Sequence, residues 1–195
     1  MKYKVLSIDF KEAKNHRFYR EICVKEDLSL EYLGKILVFC LGGTLEHSYL
    51  FDDGEFSYVD KSWLGNPGDN YIDYSKTIVK QLPNKFLFEY DTGEGYLFNC
   101  RFLDDVDIPR KRVDFIVLKA KGLGLWEDNI TGLRSYLTGE ISPDYSREDD
   151  NEREDGRILP WNLNIYTAGE FDEPIDIKEL TDYIKKGLAN ALDFE

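Results

Sequence analysis

The sequence predicts an α+β fold, antiparallel β-hairpins joined into a sheet and packed with helices, in a single domain. Three observations predict it. Residues 3–10 alternate polar and apolar side chains with period two. Residues 30–41 repeat apolar side chains at helical spacing between a capping serine and a pair of glycines. Further short strand-like runs are separated by turns rich in Gly, Asp and Asn.

Taken in order, Leu6, Ile8 and Phe10 are the apolar set of a half-buried first strand. A polar turn over 13–16 reverses the chain, and Phe18 to Val24 returns as the antiparallel mate. Ser29 offers an N-cap oxygen and Glu31 favours the positive end of a helix. Leu30, Leu33, Ile36, Leu37, Cys40 and Leu41 then share one face until Gly42-Gly43 stops the run. Tyr49 to Phe51 and Phe56 to Tyr58 read as a hairpin around Asp52-Asp53-Gly54, whose Asp-Gly step suits the positive φ angles of a primed turn. Residues 60–74 read as a loop, and 77–82 as a short helical turn. Lys85 to Tyr90 and Tyr96 to Phe102 form strands joined by Asp91-Thr92-Gly93-Glu94-Gly95. Val113 to Leu118 is a further strand, Lys121 to Leu125 a glycine-bearing turn, and Glu127 to Leu137 a short helix. Ile158 to Tyr166 reads as an extended piece. Asp176 to Leu192 places Ile177, Leu180, Ile184, Leu188 and Leu192 along one face of a terminal helix. These readings divide the chain into a core over 1–141, an acidic surface loop over 142–157, and a C-terminal extension over 158–195 whose helix packs on the core.

Composition excludes several classes of function. The 195 residues carry 38 acidic side chains against 25 Lys and Arg, a formal charge of −13. Duplex binding draws its energy largely from cations that displace counterions, so nucleic acid is disfavoured as a partner. The acidity is uneven: seven acids crowd residues 144–155 and eight crowd 170–195, whereas the first 25 residues are net positive. A small basic face on the N-terminal hairpin is therefore compatible with the sequence. The longest apolar stretch, Ile36 to Leu41, is far shorter than the roughly 18–20 residues that cross a bilayer, and Asp9 and Glu12 interrupt any export signal. A cytoplasmic protein without a membrane partner is expected. Cys23, Cys40 and Cys100 are odd in number and widely spaced, which predicts buried thiols rather than disulfides or a structural zinc site.

No complete catalytic signature stands in the chain. Asp91-Thr92-Gly93 matches half of an aspartic protease centre, but the chemistry needs two such carboxylates and there is one copy. Gly93-Glu94-Gly95 and Gly122-Leu123-Gly124 lack the third glycine of a dinucleotide fingerprint and read as turns. Of the two histidines, His16 belongs to a polar turn. His47 lies between a helix end and a strand, beside Glu46. With Asp91, Glu94, Glu127 and Asp128 it could hold a divalent cation, because imidazole and carboxylate both suit such metals. The competing reading gives His47 a structural role bonded to backbone, and makes Glu127-Asp128 acids at a helix start.

Five segments in order carry a family resemblance: Phe18-Tyr19-Arg20-Glu21-Ile22, Ser29-Leu30 with Leu33, His47-Ser48-Tyr49-Leu50-Phe51, Tyr90-Asp91-Thr92-Gly93-Glu94-Gly95-Tyr96, and Lys121 to Asp128 followed by Gly132-Leu133. In this combination the chain resembles the plasmid pRiA4b ORF-3-like family, whose members are associated with mobile elements. The resemblance implies an α+β fold with an antiparallel sheet and packed helices, and implies no established reaction. Two functions are carried forward. The first is a non-catalytic module binding a protein or small ligand without a cofactor, with Tyr90, Tyr96 and Trp126 as recognition aromatics. The alternative is a divalent-metal-dependent hydrolase using His47 and the four carboxylates.

Overall fold

The computed structural model describes residues 2–13, 18–65, 70–107, 113–122, 124–138 and 175–192. The polar turn ending at His16, the acidic loop over 142–157 and the extended piece at 158–166 fall wholly or mainly outside these residues.

Strand β1 (Lys2–Phe10) pairs antiparallel with β2 (Tyr19–Lys25), as the alternation predicts. Helix α1 (Leu30–Leu41) begins where the Ser29 side chain accepts from the Tyr32 N–H, and ends where Gly42 takes the left-handed conformation at φ 89°. Strands β3 (Tyr49–Asp52) and β4 (Ser57–Val59) form the next hairpin. Its loop has four residues rather than the tight primed turn expected. Gly54 supplies the positive φ, and the Asp53 carboxylate accepts from the Glu55 and Phe56 amides. Strands β5 (Tyr71–Asp73), β6 (Lys85–Tyr90), β7 (Tyr96–Asp107) and β8 (Phe115–Lys121) follow, then α2 (Ile130–Thr138) and α3 (Ile177–Leu192).

The strands form one eight-stranded sheet in the order β5-β4-β3-β6-β7-β1-β2-β8. The expected antiparallel sheet is corrected at its edge, where β4 and β5 run parallel. Between them the chain makes a 3₁₀ turn over Lys61–Trp63, started by Asp60, and returns to the same end of the sheet before β5 begins. The fold is α+β with a mixed, strand-rich sheet.

One face of the sheet carries the main core. Leu6, Ile8 and Phe10 of β1, Phe18 beside β2, and Phe88 and Phe98 of β6 and β7 are almost fully buried. Phe10, Phe18 and Phe98 lie with ring centroids 5.3 to 5.9 Å apart. Helix α1 covers this face with nine buried residues, and α3 closes over it through Leu180, Ile184 and Leu188. Each fully buried aliphatic or aromatic side chain here stabilises the fold by about 1.5–3 kcal/mol. The opposite face is not uniformly wet, because Tyr3, Val5 and Cys23 form a second small cluster there. Cys23, Cys40 and Cys100 are buried free thiols. Burial pushes the Cys40 thiol up to about 11. Among the described residues no helix is long and apolar enough to cross a membrane.

Candidate functional site: a histidine faced by three carboxylates

Three connections converge at one end of the sheet. The α1–β3 connection leaves the helix through Gly42 and Gly43 and carries Thr44 and His47. Tyr49 pairs with Tyr90 in the β3–β6 ladder, which sets His47 and Ser48 beside the turn that follows β6. The Asp91 amide there donates to the Ser48 carbonyl at 2.9 Å. The third connection, from β8 to α2, is tied to the end of α1 by the Leu125 amide, which donates to the Leu41 carbonyl at 2.8 Å. It brings Glu127 and Asp128 to the same place.

His47 is the centre of the arrangement. Its Nδ1 faces Asp91 Oδ1 at 3.7 Å, while Nε2 lies 3.2 Å from Asp128 Oδ1 and 3.9 Å from Glu127 Oε2. One ligand atom each from His47, Asp91 and Asp128 fall within 4.8 Å of one another. The imidazole stands edge-on to the Tyr90 ring at 6.0 Å. Leu45, Asp91 and Asp128 all have positive φ, at 67°, 50° and 54°. They are the only non-glycine residues so placed among those described, and each lies in or beside the cluster. A conformation that L side chains rarely adopt costs on the order of 1 kcal/mol, and such cost gathers where the chain must aim a side chain.

The carboxylates are held unequally. Glu127 Oε1 accepts from the Thr44 amide at 2.7 Å, the Thr44 hydroxyl at 3.1 Å and the Tyr90 hydroxyl at 2.9 Å. Glu127 Oε2 is buried with no hydrogen-bond partner and points towards His47. Burial raises the Glu127 carboxyl above its ordinary value, against the three donors and His47. Asp91 Oδ1 accepts from the Gly93 and Glu94 amides at 3.2 and 3.3 Å, while Oδ2 is buried without a partner. The Asp91 side chain is 7% exposed and that of Asp128 is 74% exposed, so the cluster is closed at the back and open at Asp128. A buried carboxylate oxygen left without a donor costs about 1–3 kcal/mol, and a bound cation is one physical way to offset it.

Of the five residues expected to meet, the structure brings together His47, Asp91, Glu127 and Asp128. Glu94 is elsewhere: its carboxylate accepts from the Ile130 amide at 3.1 Å, at the start of α2, where a negative charge complements the helix. The recognition surface expected of Tyr90, Tyr96 and Trp126 is corrected by their placement, since all three are buried, at 0%, 0% and 5% exposure. Tyr90 supports Glu127, and Tyr96 donates its hydroxyl proton to the Trp126 carbonyl while accepting from the Asn129 amide. They act as struts beneath the site.

Two contributors are not among the candidate site residues. Thr44 is one. The other is Arg20, whose guanidinium is fully buried and donates to the carbonyls of Cys40, Lys121 and Gly122. It thereby ties the end of α1 to the start of the connection bearing Glu127. The signal for Arg20 is positional, because it occupies the apolar phase of β2 with Phe18, Ile22 and Val24.

The sequence pattern of the plasmid pRiA4b ORF-3-like proteins matches residues 2–174. The chain belongs to that family. The match takes in every residue of the His47 cluster. A crystal structure of a protein of unknown function, MM3350, from Methanosarcina mazei Go1 has the same fold, at a TM-score of 0.67 and 16% identity over 91% of this chain and 96% of that one. No curated protein matches the chain in sequence.

Proposed function

We propose that this pRiA4b ORF-3-like protein binds a divalent transition-metal ion at the His47 cluster and works as a metal-dependent hydrolase. The observation that carries the reading is the convergence of one ligand atom each from His47, Asp91 and Asp128 within 4.8 Å, beside the buried, unpartnered Glu127 Oε2. His47, Asp91 and Asp128, whose ligand atoms lie within 4.8 Å of one another, are the direct ligands. Glu127 Oε2 lies 3.9 Å from Nε2, as an outer carboxylate that helps to fix the orientation of the ring. A mixed nitrogen and oxygen set favours zinc, manganese or iron over calcium. Three protein ligands leave positions for water, whose acidity a bound divalent ion raises.

The reading without metal or catalysis drew on the abundance of aromatic side chains and the lack of a complete catalytic signature, with Tyr90, Tyr96 and Trp126 as its recognition candidates. Those side chains are committed to the interior, which favours the metal-dependent alternative.

Metal titration of the purified full-length chain by calorimetry, with elemental analysis, tests the site. One zinc or manganese ion per chain is expected. His47→Ala and Asp91→Asn should abolish binding, whereas Glu127→Gln should weaken it by about 10–100-fold as an outer partner does. Glu94→Gln, removed from the cluster, should bind like the parent. A chain that takes up no ion and shows no thermal shift with zinc, manganese or magnesium would sink the proposal.

A further inference from the structure

A cleft of about 740 Å³ opens beside the cluster, and His47 and Thr44 lie on its wall. That volume suits a small molecule. The cleft runs from His47 along one side of α1, past Lys35 and Phe39, under the end of α3 at Asn190, to the turn that holds Asp60 and Trp63. Tyr49 and Tyr74 lie on its wall as a stacked pair, 5.3 Å apart and 14° from parallel. Both phenols are occupied, Tyr49 donating to the Glu31 carbonyl and Tyr74 to Asp60 Oδ2.

The charges in this cleft are unequal. Lys35 Nζ lies 3.4 Å from Glu31 Oε1, so that pair is internally matched. Asp60 receives the Ser62 amide at 2.8 Å and the Tyr74 hydroxyl at 3.2 Å; Lys61 acts on it through space, but no ion pair within 4 Å engages it among the described residues. Hydrogen bonds from Ser62 hold its carboxyl below the ordinary value, so it is anionic at neutral pH. Trp63, three residues on, lines the same end. A carboxylate beside an indole is a recognition pair for a cation, through charge and through the ring face. At the other end His47 lines the cleft, with its three carboxylates behind it rather than on the wall. The unpaired charge on the wall is thus the Asp60 carboxylate, which favours a cationic over an anionic ligand.

We infer that this cleft seats a small amide or ester bearing a guanidinium or ammonium group, with the cation between Asp60 and Trp63 and the reacting end at His47. The position of the reacting end rests on the metal reading above; the cation subsite does not.

The test compares N-acetyl-arginine amide with N-acetyl-citrulline amide, its neutral near-isostere, by calorimetry on the full-length chain with and without zinc. Binding of the arginine compound should be at least about tenfold tighter, the effect of one charge-assisted contact. Asp60→Asn should erase that preference and leave zinc affinity unchanged, and Trp63→Leu should weaken the arginine compound alone. Circular dichroism of both variants confirms the fold. Equal affinity for the two amides, or a preference that survives Asp60→Asn, would overturn the inference, as would tighter binding of p-nitrophenyl phosphate. Discrimination by a chain that binds no zinc would support the cation subsite and remove the metal reading. Zinc binding without discrimination would do the reverse.

Discussion

Arg20 shows how much of this molecule turns on one side chain. A buried guanidinium loses its hydration, and here backbone carbonyls from two distant segments replace that water. Phe18 adds its ring face, 5.0 Å from the guanidinium carbon. Arg20→Leu would leave the carbonyls of Cys40, Lys121 and Gly122 short of a donor in the interior. We expect a loss of about 3–5 kcal/mol in urea unfolding, given about 1–3 kcal/mol for each buried acceptor left unsatisfied. Arg20→Lys should recover only part, because an ammonium cannot reproduce the planar fork. Metal affinity should fall in the lysine variant even where it remains folded, since the anchor of the Glu127 connection is loosened. Unchanged zinc affinity in a folded Arg20→Lys chain would show that Arg20 is structural only. The sequence makes Arg20 visible as a charged residue in the apolar phase of its strand, but not what it holds, because its acceptors lie about 20 and 100 residues away. Glu94 is the opposite case. Its place between Gly93 and Gly95 gives no direction for the side chain, and the open amide of α2 claims it.

At the scale of elements, the best-read ones have a local cause. The Ser29 cap and the Gly42 stop are decided within one turn of chain, and both ends of α1 match expectation. β5 is three residues long, too short to show a period, and its parallel pairing with β4 depends on how the preceding connection is routed. β7 continues past Phe102, where the apolar alternation ends, to Asp107, because β1 pairs with Asp105, Val106 and Asp107. Helix α1 also carries a residue whose local and tertiary effects conflict. Gly34 sits in mid-helix, where alanine would ordinarily stabilise by about 0.5–1 kcal/mol. A Cβ there would collide with the Tyr49 ring. Tyr49 is pinned by β3, by its stacking on Tyr74 and by its bond to the Glu31 carbonyl, so it cannot step aside. Gly34→Ala should therefore destabilise by about 1–3 kcal/mol, as overpacking does. A thermal midpoint equal to or above the parent's would contradict this packing.

For the whole molecule the governing quantity is charge. With 38 acids and 25 Lys and Arg, the folded chain concentrates like charges that the unfolded chain can spread apart, which favours unfolding at neutral pH. Two outcomes follow. Salt shortens the reach of that repulsion to about 10 Å at 0.1 M and less above it, so at pH 7 the thermal midpoint should rise by a few degrees between low salt and 0.5 M sodium chloride. Near the sequence pI of about 4.7 the net charge vanishes, and the salt effect should shrink with it. Acidification has a second side. Asp60 and Asp73 titrate below their ordinary value in the folded chain, held there chiefly by Ser62 and Ser75 respectively. For a depressed carboxyl, the stability gained is complete above the unfolded value of about 3.9 and is lost as pH falls through the folded value. Relief of repulsion thus dominates from pH 7 towards 5, and loss of these anchored carboxylates dominates below 4. Stability of the metal-free chain should pass through a maximum near pH 5, measured as the urea midpoint across a pH series at fixed ionic strength. A midpoint that falls steadily from pH 7 downward would mean that the excess acids do not repel one another appreciably in the folded state.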